Sequence, residues 1–530
     1  MPHGRSIRRS TLVACVVLAA ALLVVPAQAA PGDLDPSFGV GGKVTTDYAS
    51  RIDFALGVVL QADGKIVAAG NTCACVGGFN VDFALARYNT DGSLDGTFGG
   101  GGQVTTDWGT PLDAISAIAL QADGKIVAVG LTAPSGLGTS DFGVARYNTD
   151  GSLDATFGAG GKVATDFGGG EQGNAVVIQT DGKIVAAGAS DGNFALARYN
   201  ANGTLDTAFG SGGMVITDFG AGEFAFELAL QADGKIIAAG MSGSDFALAR
   251  YNPNGSLDAT FGTGGEVTTD CGSSSDSAFG VVVQADGKII AGGVGSGDVA
   301  LARYNANGSL DPTFGSGGRV TTDLGSSFDV ANTLALQGDG KIVAAGGNSS
   351  DFALVRYSPN GSLDTSFGSG GVTTTDFGSS DSAFDVAVQT DGKIVAVGGN
   401  NADFTLARYQ GTGLLAVSID IKPGSATNPI NLTGVGVVPV AILSSAGFAA
   451  TSVDPATVCF GDDGSTSQRD CTEAHGVGHR EDVNGDGLTD LLLHYEVSET
   501  GIDPGDTRAC LTGTTFGGVG IQGCDSIRTG

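Results

Sequence analysis

The chain has 530 residues, a formal net charge of −30, and 90 glycines that follow no Gly-x-y period. The negative charge argues against nucleic acid and anionic membrane surfaces as partners, because both are bound through clustered Lys and Arg. The missing period excludes collagen. The charge balance favours cations as ligands, and the 42% hydrophobic content is sufficient for a core.

Residues 1–30 have the pattern of an export signal. Arg5, Arg8 and Arg9 precede an apolar run from Leu12 to Val25, and small residues before position 30 fit a cleavage site. The run is too short for a membrane span, and no later segment is apolar over about 18 residues. We therefore expect a monomeric bacterial protein without a transmembrane segment after cleavage, either secreted or located at the cell surface or in the periplasm.

Three short sequence blocks recur seven times each after the signal. The first is Asp-Gly-Lys, the second is Ala-Arg-Tyr or Val-Arg-Tyr, and the third is Leu-Asp-x-x-Phe-Gly. The leading residues of the first block are Asp63, Asp123, Asp181, Asp233, Asp286, Asp339 and Asp391. The arginines of the second block are Arg87, Arg146, Arg198, Arg250, Arg303, Arg356 and Arg408. A fixed period of this size indicates a repeat architecture.

One repeat is predicted to form four short strands. The first spans residues 55–60, the second 65–70, the third 83–88 and the fourth 104–106, with a tight Asp-Gly hairpin turn between the first two. Four strands per unit, repeated radially, describe a β-propeller. A β-helix is the structural alternative.

The two ends of the repeat region complement each other. The mature chain opens with a fourth strand that lacks the first three, and the region closes with a third strand that lacks a fourth. We therefore predict an all-β fold with a seven-bladed propeller over residues 31–412, in which the N-terminal strand completes the last blade and removes an exposed edge.

The repeats resemble the bacterial delta-60 repeat family. The resemblance rests on phrases such as Gln-Ala-Asp-Gly-Lys-Ile-Val-Ala-Ala-Gly, beginning at Gln61, and Phe-Ala-Leu-Ala-Arg-Tyr-Asn-x-Asp-Gly-Ser-Leu-Asp, beginning at Phe83. It covers about residues 32–412. It implies a β-propeller and no particular biochemical activity.

A ring of acids is the main candidate site of the repeats. One Asp ends each fourth strand, so these residues are expected to lie on one face together with the long connections between second and third strands. They are Asp47, Asp107, Asp166, Asp218, Asp270, Asp323 and Asp376. The repeats contain no histidine, which excludes a Ser-His-Asp site there. The repeated arginines are expected to satisfy Asp or backbone groups between blades.

Residues 413–530 are predicted to form a small β-sandwich-like domain with a calcium loop. Oxygen ligands recur at the spacing that Ca²⁺ needs, with Gly487 at the bend, but no acid stands at the last position of an EF-hand. The predicted ligands are Asp482, Asn484, Asp486, Leu488 through its carbonyl, and Asp490. A plain turn is the alternative. His475 and His479 are interpreted as loop residues without a metal, because no tetrahedral set is evident.

Four cysteines in this segment allow three disulfide connectivities. Short loops favour Cys459–Cys471 and Cys510–Cys524. Elsewhere, Cys73 and Cys75 are candidates for a strained pair, and Cys271 occupies an apolar position of the repeat, so it is expected to be buried.

These observations favour an exported, non-enzymatic binding, adhesion or scaffold protein with Ca²⁺ as its ion. Its partner would be a polysaccharide, an envelope component or another protein. The first alternative is a secreted hydrolase or lyase that acts on polysaccharide through carboxylates or calcium. Such an enzyme requires acids specific to one or two blades, and the candidates are Glu171, Glu223, Glu227 and Glu266. The second alternative is a purely structural surface protein.

Overall fold

The computed structural model describes residues 30–529, with gaps at 49–51, 74–79, 134–138, 273–274, 401, 412–414, 426, 433–435, 446–447, 463–470, 477 and 517–519. The predicted signal peptide therefore lies outside the described residues, apart from Ala30. Within the described ranges, no helix has the length and apolar character required to cross a membrane.

The repeat region consists of short antiparallel strands, which confirms the predicted all-β class. The first strands of the units are Ile52–Leu60, Leu112–Leu120, Glu171–Ile178, Glu223–Leu230, Ser277–Val283, Val330–Leu336 and Ser382–Val388. The second strands are Ile66–Cys73, Ile126–Ala133, Ile184–Ser190, Ile236–Ser242, Ile289–Gly295, Ile342–Gly347 and Ile394–Gly399. The third strands are Val81–Tyr88, Asp141–Tyr147, Asn193–Tyr199, Asp245–Tyr251, Asp298–Tyr304, Phe352–Tyr357 and Phe404–Tyr409. The fourth strands are Lys43–Thr46, Gln103–Thr106, Lys162–Thr165, Met214–Thr217, Glu266–Thr269, Arg319–Thr322 and Val372–Thr375.

Within the described residues, these strands form seven four-stranded units, and the strands of each unit are ordered from first to fourth. One parallel bridge, between Val81 and Leu112, also joins the first unit to the second. The first strands of successive units pack against one another, and the first strand of the last unit packs against Ile52–Leu60. The units therefore close into a ring around an axis that is lined by first strands, as in a β-propeller.

The N-terminal strand closes the ring. Lys43–Thr46 pairs antiparallel with Phe404–Tyr409, with Lys43 opposite Ala407. Asp35 strengthens the junction, because its Oδ2 accepts a hydrogen bond from Arg408 Nε at 2.8 Å. Lys43–Thr46 is therefore the fourth strand of the last four-stranded sheet.

The apolar core lies between successive sheets. Phe83 and Leu85 of one sheet pack with Ile115 and Ile126 of the next, and all four are fully buried. Alanines repeated along the second and third strands permit this close approach. The second strands are buried along most of their length, since a neighbouring sheet covers each face.

The Asp-Gly-Lys connection is longer than predicted. Leu60 pairs with Ile66, so the connection contains five residues, 61–65, one more than the predicted strands 55–60 and 65–70 leave between them. Among them, Gly64 has a positive φ of 81° and Asp63 does not. Asp63 instead accepts a hydrogen bond from the amide of Lys65, at 3.2 Å. The Asp therefore caps the turn, and only the glycine position requires the left-handed region.

The repeated Arg-Tyr pairs hold neighbouring units together, as predicted. Arg146 donates from Nε to Asp154 at 2.8 Å and from Nη1 to the carbonyl of Ala201 in the next unit at 2.5 Å. Its Cζ lies 4.6 Å from the ring centroid of Phe157. Tyr147 donates to Thr106 of the preceding unit at 2.9 Å. These residues are structural, since all seven units repeat the Arg–Asp, Arg–Phe and Tyr–Thr contacts and six repeat the bond to the carbonyl of the next unit, Arg356 donating to Gln337 instead.

The described part of the C-terminal segment contains two four-stranded sheets. One comprises Leu415–Ala416, Gly520–Ser526, Arg508–Thr514 and Cys459–Asp462, and the other Ile419–Ile421, Val437–Ile442, Asp490–Glu496 and His479–Glu481. Pro429–Ile430 pairs with Arg528–Thr529, and three short 3-10 helices span Ala450–Ser452, Pro455–Thr457 and Val497–Glu499. Both four-stranded sheets contribute to one apolar cluster, which includes Val440, Phe460, Leu493 and Leu511.

Both predicted disulfides of this segment are present. Cys459 is bonded to Cys471, and Cys510 is bonded to Cys524, its direct partner across two adjacent strands. The proposed Cys73–Cys75 pair includes Cys75, which lies outside the described residues. Cys271 is buried, as expected, and burial raises the pKa of its thiol to about 12.

Candidate functional site

The predicted ring of Asp residues lies on one face of the repeat region. Each member is exposed and directly follows a fourth strand. Its carboxylate typically accepts a hydrogen bond from the glycine amide two residues later, as Asp166 does from Gly168 at 2.6 Å. We call this side of the ring the acidic face. The Asp-Gly-Lys turns lie at the opposite ends of the first strands.

Two further acids join the ring Asp at most junctions between units. One lies within one residue of the start of the third strand of the same unit, and the other lies within one residue of the start of the first strand of the next unit. In at least four of these three-acid clusters, one oxygen from each residue lies within 4.8 Å of the others. These four clusters are Asp47, Asp53 and Asp403; Asp82, Asp107 and Asp113; Asp141, Asp166 and Glu171; and Asp245, Asp270 and Asp276.

The other junctions follow the same plan. Asp298 and Asp381 each have a raised pKa, caused first by burial and then by repulsion from the ring Asp and the third acid of their junction. At one junction, Asn193 occupies the third-strand position beside Asp218 and Glu223. The prediction identified the exposed member of each cluster. The other two positions differ between Asp, Glu and Asn, and only Glu171 and Glu223 among them were named, as candidate catalytic acids.

Negative charge on this face is poorly compensated. Burial, followed by repulsion from Asp166, raises the pKa of Asp141. Lys162 donates to the backbone carbonyl of Asp107 at 3.1 Å, a bond that leaves the carboxylate of Asp107 unpaired by this cation. Glu171 and Glu223 are at most 1% exposed, and each keeps one carboxylate oxygen without a hydrogen-bond partner among the described residues.

A β-bulge in each first strand shapes the axial channel. The register shifts between Ile115 and Ala117, so that Ser116 is unpaired. The glycine that ends each Asp-Gly-Lys-Ile-Val-Ala-Ala-Gly phrase stands opposite this bulge. A Cβ on Gly130 would lie only 1.8 Å from the carbonyl oxygen of Ala114, so a glycine is required there. All seven first strands line the resulting cavity of about 660 Å³.

Only two charged residues, Glu227 and Asp385, line this channel cavity among the described residues. They occupy equivalent positions after the bulge in different units, where the other units have Gly, Ala or Thr. Phe226, Phe279 and Phe384 also line the cavity. Glu227 was predicted as a unit-specific acid. Asp385 was missed, because its position becomes equivalent to that of Glu227 only when the bulges of the two units are aligned.

The two channel acids differ in their hydrogen bonding and in their pKa. Asp385 accepts hydrogen bonds from the amides of Val58 and Val386, both at 2.8 Å, and burial raises its pKa to about 6. Glu227 accepts one, from the amide of Leu228 at 2.8 Å. Burial, with added repulsion from Asp385, raises the pKa of Glu227 to about 8. At neutral pH the first is therefore mainly ionised and the second mainly protonated.

The predicted calcium loop is a compact turn between the strands His479–Glu481 and Asp490–Glu496. Asp482 accepts hydrogen bonds from the amides of Gly485, Asp486 and Gly487 at 2.8 to 3.1 Å, and Gly487 has a φ of 87°. Asp482, Asn484, Asp486 and Leu488 are exposed. Asp490 is fully buried and accepts from the amides of Ser444 and Val483.

The remaining unit-specific glutamates fall on the acidic face. Glu171 and Glu223 belong to junction clusters. The pKa of Glu266 is raised by burial and then by repulsion from Asp218 and Glu223, so Glu266 lies near the same junction. Of the four candidates, only Glu227 lines the channel.

Six segments match the family model described as "Domain of unknown function (DUF5122) beta-propeller". They are residues 61–98, 121–157, 179–209, 231–261, 284–314 and 337–367. No curated protein matches the chain.

Several solved structures are similar to the chain in backbone. A virginiamycin B lyase from Staphylococcus aureus has 9% identity and a TM-score of 0.45, with 69% of this chain and 98% of that chain covered. A gluconolactonase from Xanthomonas campestris has 12% identity and a TM-score of 0.34, with coverage of 72% and 97%. YCF48 bound to D1 peptide has 11% identity and a TM-score of 0.42, with coverage of 72% and 99%. Likeness at this level carries no information about activity. The family match and the ring of sheets identify a β-propeller repeat protein.

Proposed function

We propose that this protein is an exported binding protein whose acidic face engages its partner through divalent cations, with Ca²⁺ as the expected ion. The partner is a polysaccharide, an envelope component or another protein. The observation that carries the proposal is the repetition of a three-acid cluster at successive junctions. Hard cations prefer carboxylate oxygens, and a cation at each cluster would relieve the repulsion among its acids.

Unpartnered buried oxygens support the same conclusion. A buried carboxylate oxygen without a hydrogen bond costs free energy unless an ion or water satisfies it. Glu171 and Glu223 each have such an oxygen at the acidic face. The C-terminal loop of Asp482, Asn484, Asp486, Leu488 and Asp490 would provide a separate Ca²⁺ site that stabilises this segment.

The test is capture of the mature protein by polysaccharides and envelope fractions, in calcium and in chelator. A variant with Asn at Asp107, Asp166, Asp270 and Asp323 should lose calcium-dependent capture. The matched control has Asn at Asp123, Asp181, Asp286 and Asp391, which changes the charge equally on the opposite face. Equal capture by both variants, or capture that persists in chelator, would contradict the proposal.

The channel acids support a second candidate function, hydrolysis of a neutral polysaccharide. Protonated Glu227 would give its proton to the glycosidic oxygen as the C–O bond breaks, and ionised Asp385 would take a proton from the attacking water. Solvent exchange would then restore both groups. Glu227→Gln and Asp385→Asn should each abolish turnover that the wild-type protein shows, whereas Glu266→Gln should not. Absence of turnover in the wild type would count against this function.

A further inference from the structure

The three histidines of the mature chain converge at one place in the C-terminal segment. The chain has four histidines, and His3 lies in the predicted signal. His475, His479 and His494 each place one ring nitrogen within 4.8 Å of the other two. Their ring centroids are 4.3 to 5.7 Å apart. We call this group the histidine cluster.

Strand pairing brings the cluster together. His479 pairs with Leu492 across the antiparallel strands, so His494, two residues further along, lies on the same face of the sheet. The amide of Ala474 donates to the carbonyl of His494 at 2.8 Å, which places His475 beside it. Gly478 lies against the buried face of the same sheet, where a Cβ would come within 2.7 Å of the side chains of Leu491 and Leu493.

Glu473 supports two of the three histidines. Its Oε2 accepts a hydrogen bond from the amide of His475 at 2.8 Å, and its Oε1 accepts from the amide of His494 at 3.0 Å. The same Oε1 lies 3.4 Å from Nδ1 of His494. That ring nitrogen is buried and makes no hydrogen bond within the described residues. A carboxylate behind a histidine is the usual outer-shell arrangement of a metal ligand.

The three rings contact one another in tilted or edge-on arrangements. Imidazole binds metals through a ring nitrogen in its neutral form, so one shared ion would account for this grouping.

We propose that His475, His479 and His494 form a binding site for a first-row transition metal ion of the zinc or copper class. Imidazole nitrogen suits these ions, whereas Ca²⁺ requires oxygen ligands. Three histidines leave one position of a tetrahedral site open to water or to an external ligand. This site is independent of the proposed function, because its ligands belong neither to the acidic face nor to the calcium loop.

The test is titration of tag-free mature protein with Zn²⁺ and, separately, with Co²⁺, whose visible spectrum reports nitrogen ligands in a tetrahedral site. We expect one ion per chain with a tetrahedral Co²⁺ spectrum. His475 and His479 are exposed, so His475→Gln and His479→Gln should preserve the fold while weakening Zn²⁺ binding about 10-fold or more each.

Two outcomes would overturn the proposal. One is no binding of either ion by the wild-type protein, and the other is binding that both histidine variants retain unchanged. Glu499→Gln is the matched control, since it changes an exposed side chain of the same segment outside the cluster and should leave Zn²⁺ binding intact. Circular dichroism of each variant checks that the fold is retained, so that a loss of binding is assigned to the ligands.

Discussion

The channel acid Glu227 makes a quantitative prediction about stability and pH. Its pKa in the folded protein is about 8, compared with an ordinary value of 4.5. The folded state therefore binds a proton more tightly than the unfolded state does. The resulting stabilisation is fully present below about pH 4.5 and is lost as the pH rises to about 8.

The magnitude follows from the size of the shift. At about 1.4 kcal/mol per pKa unit, a shift from 4.5 to about 8 corresponds to at most about 5 kcal/mol. Because Glu227 is partly exposed to the channel, where water screens its charge, we expect about 3 kcal/mol. A Gln side chain retains an oxygen that can accept the hydrogen bond from the amide of Leu228, but the side chain cannot ionise. Glu227→Gln should therefore remove this part of the pH dependence.

The assay is thermal unfolding of wild type and Glu227→Gln between about pH 5 and about pH 9. For a folded region the size of the whole propeller, a change of about 1 kcal/mol in the free energy of unfolding shifts Tm by about 1–2 °C. The Tm of the variant relative to that of the wild type should therefore rise by about 4 °C across this pH range. Glu499→Gln, which removes an exposed glutamate, is the control and should show no such trend. A constant Tm difference between Glu227→Gln and wild type would refute the reasoning.

Three further predictions concern the repeats and the cysteines. Arg146→Met should destabilise the ring by about 3 kcal/mol, because Asp154 would lose its closest cation in a buried position. Chemical denaturation measures this change, and an effect below about 0.5 kcal/mol would contradict the prediction. Cys271 should react with a thiol reagent only after unfolding, because its thiol is buried and its pKa is raised, so rapid reaction of the folded protein would contradict this expectation. Replacing Cys510 and Cys524 by Ser should lower the stability of the C-terminal segment by about 3 kcal/mol, as limited proteolysis around residues 413–530 would detect.

The sequence repeats were sufficient to predict most of the architecture, for physical reasons. Turn residues and alternating apolar residues recur at the same offsets, so one repeat predicts the strands of all. The complementary half-units at the two ends predicted the pairing of Lys43–Thr46 with Phe404–Tyr409. Spacing was less informative about turn geometry. The Asp-Gly pair predicted the place of the turn, yet Lys65, which was predicted to begin the return strand, belongs to the five-residue connection 61–65.

The candidate sites were less predictable, because each combines residues that are distant in sequence. Asp385 is recognisable only after it is aligned with Glu227 across the bulges. His494 is adjacent to His479 only through strand pairing. A usable signal did exist for the acidic face. Most third strands are preceded or begun by an acid, such as Asp82 or Asp141, at a fixed distance before the Arg-Tyr pair.

Ring closure by the N-terminal strand has a consequence for how the chain folds. Arg408 and its partner Asp35 are separated by 373 residues. Forming this contact therefore closes a far longer loop of chain than forming any hairpin in the repeats does. The sheets completed within the chain can assemble in order of synthesis, but the last sheet requires the strand that was made first. Until the repeat region is complete, Lys43–Thr46 and Phe404–Tyr409 both present unpaired edges. Closure is thus a late, non-local step, and the interval before it is when the chain is most exposed to pairing with another molecule.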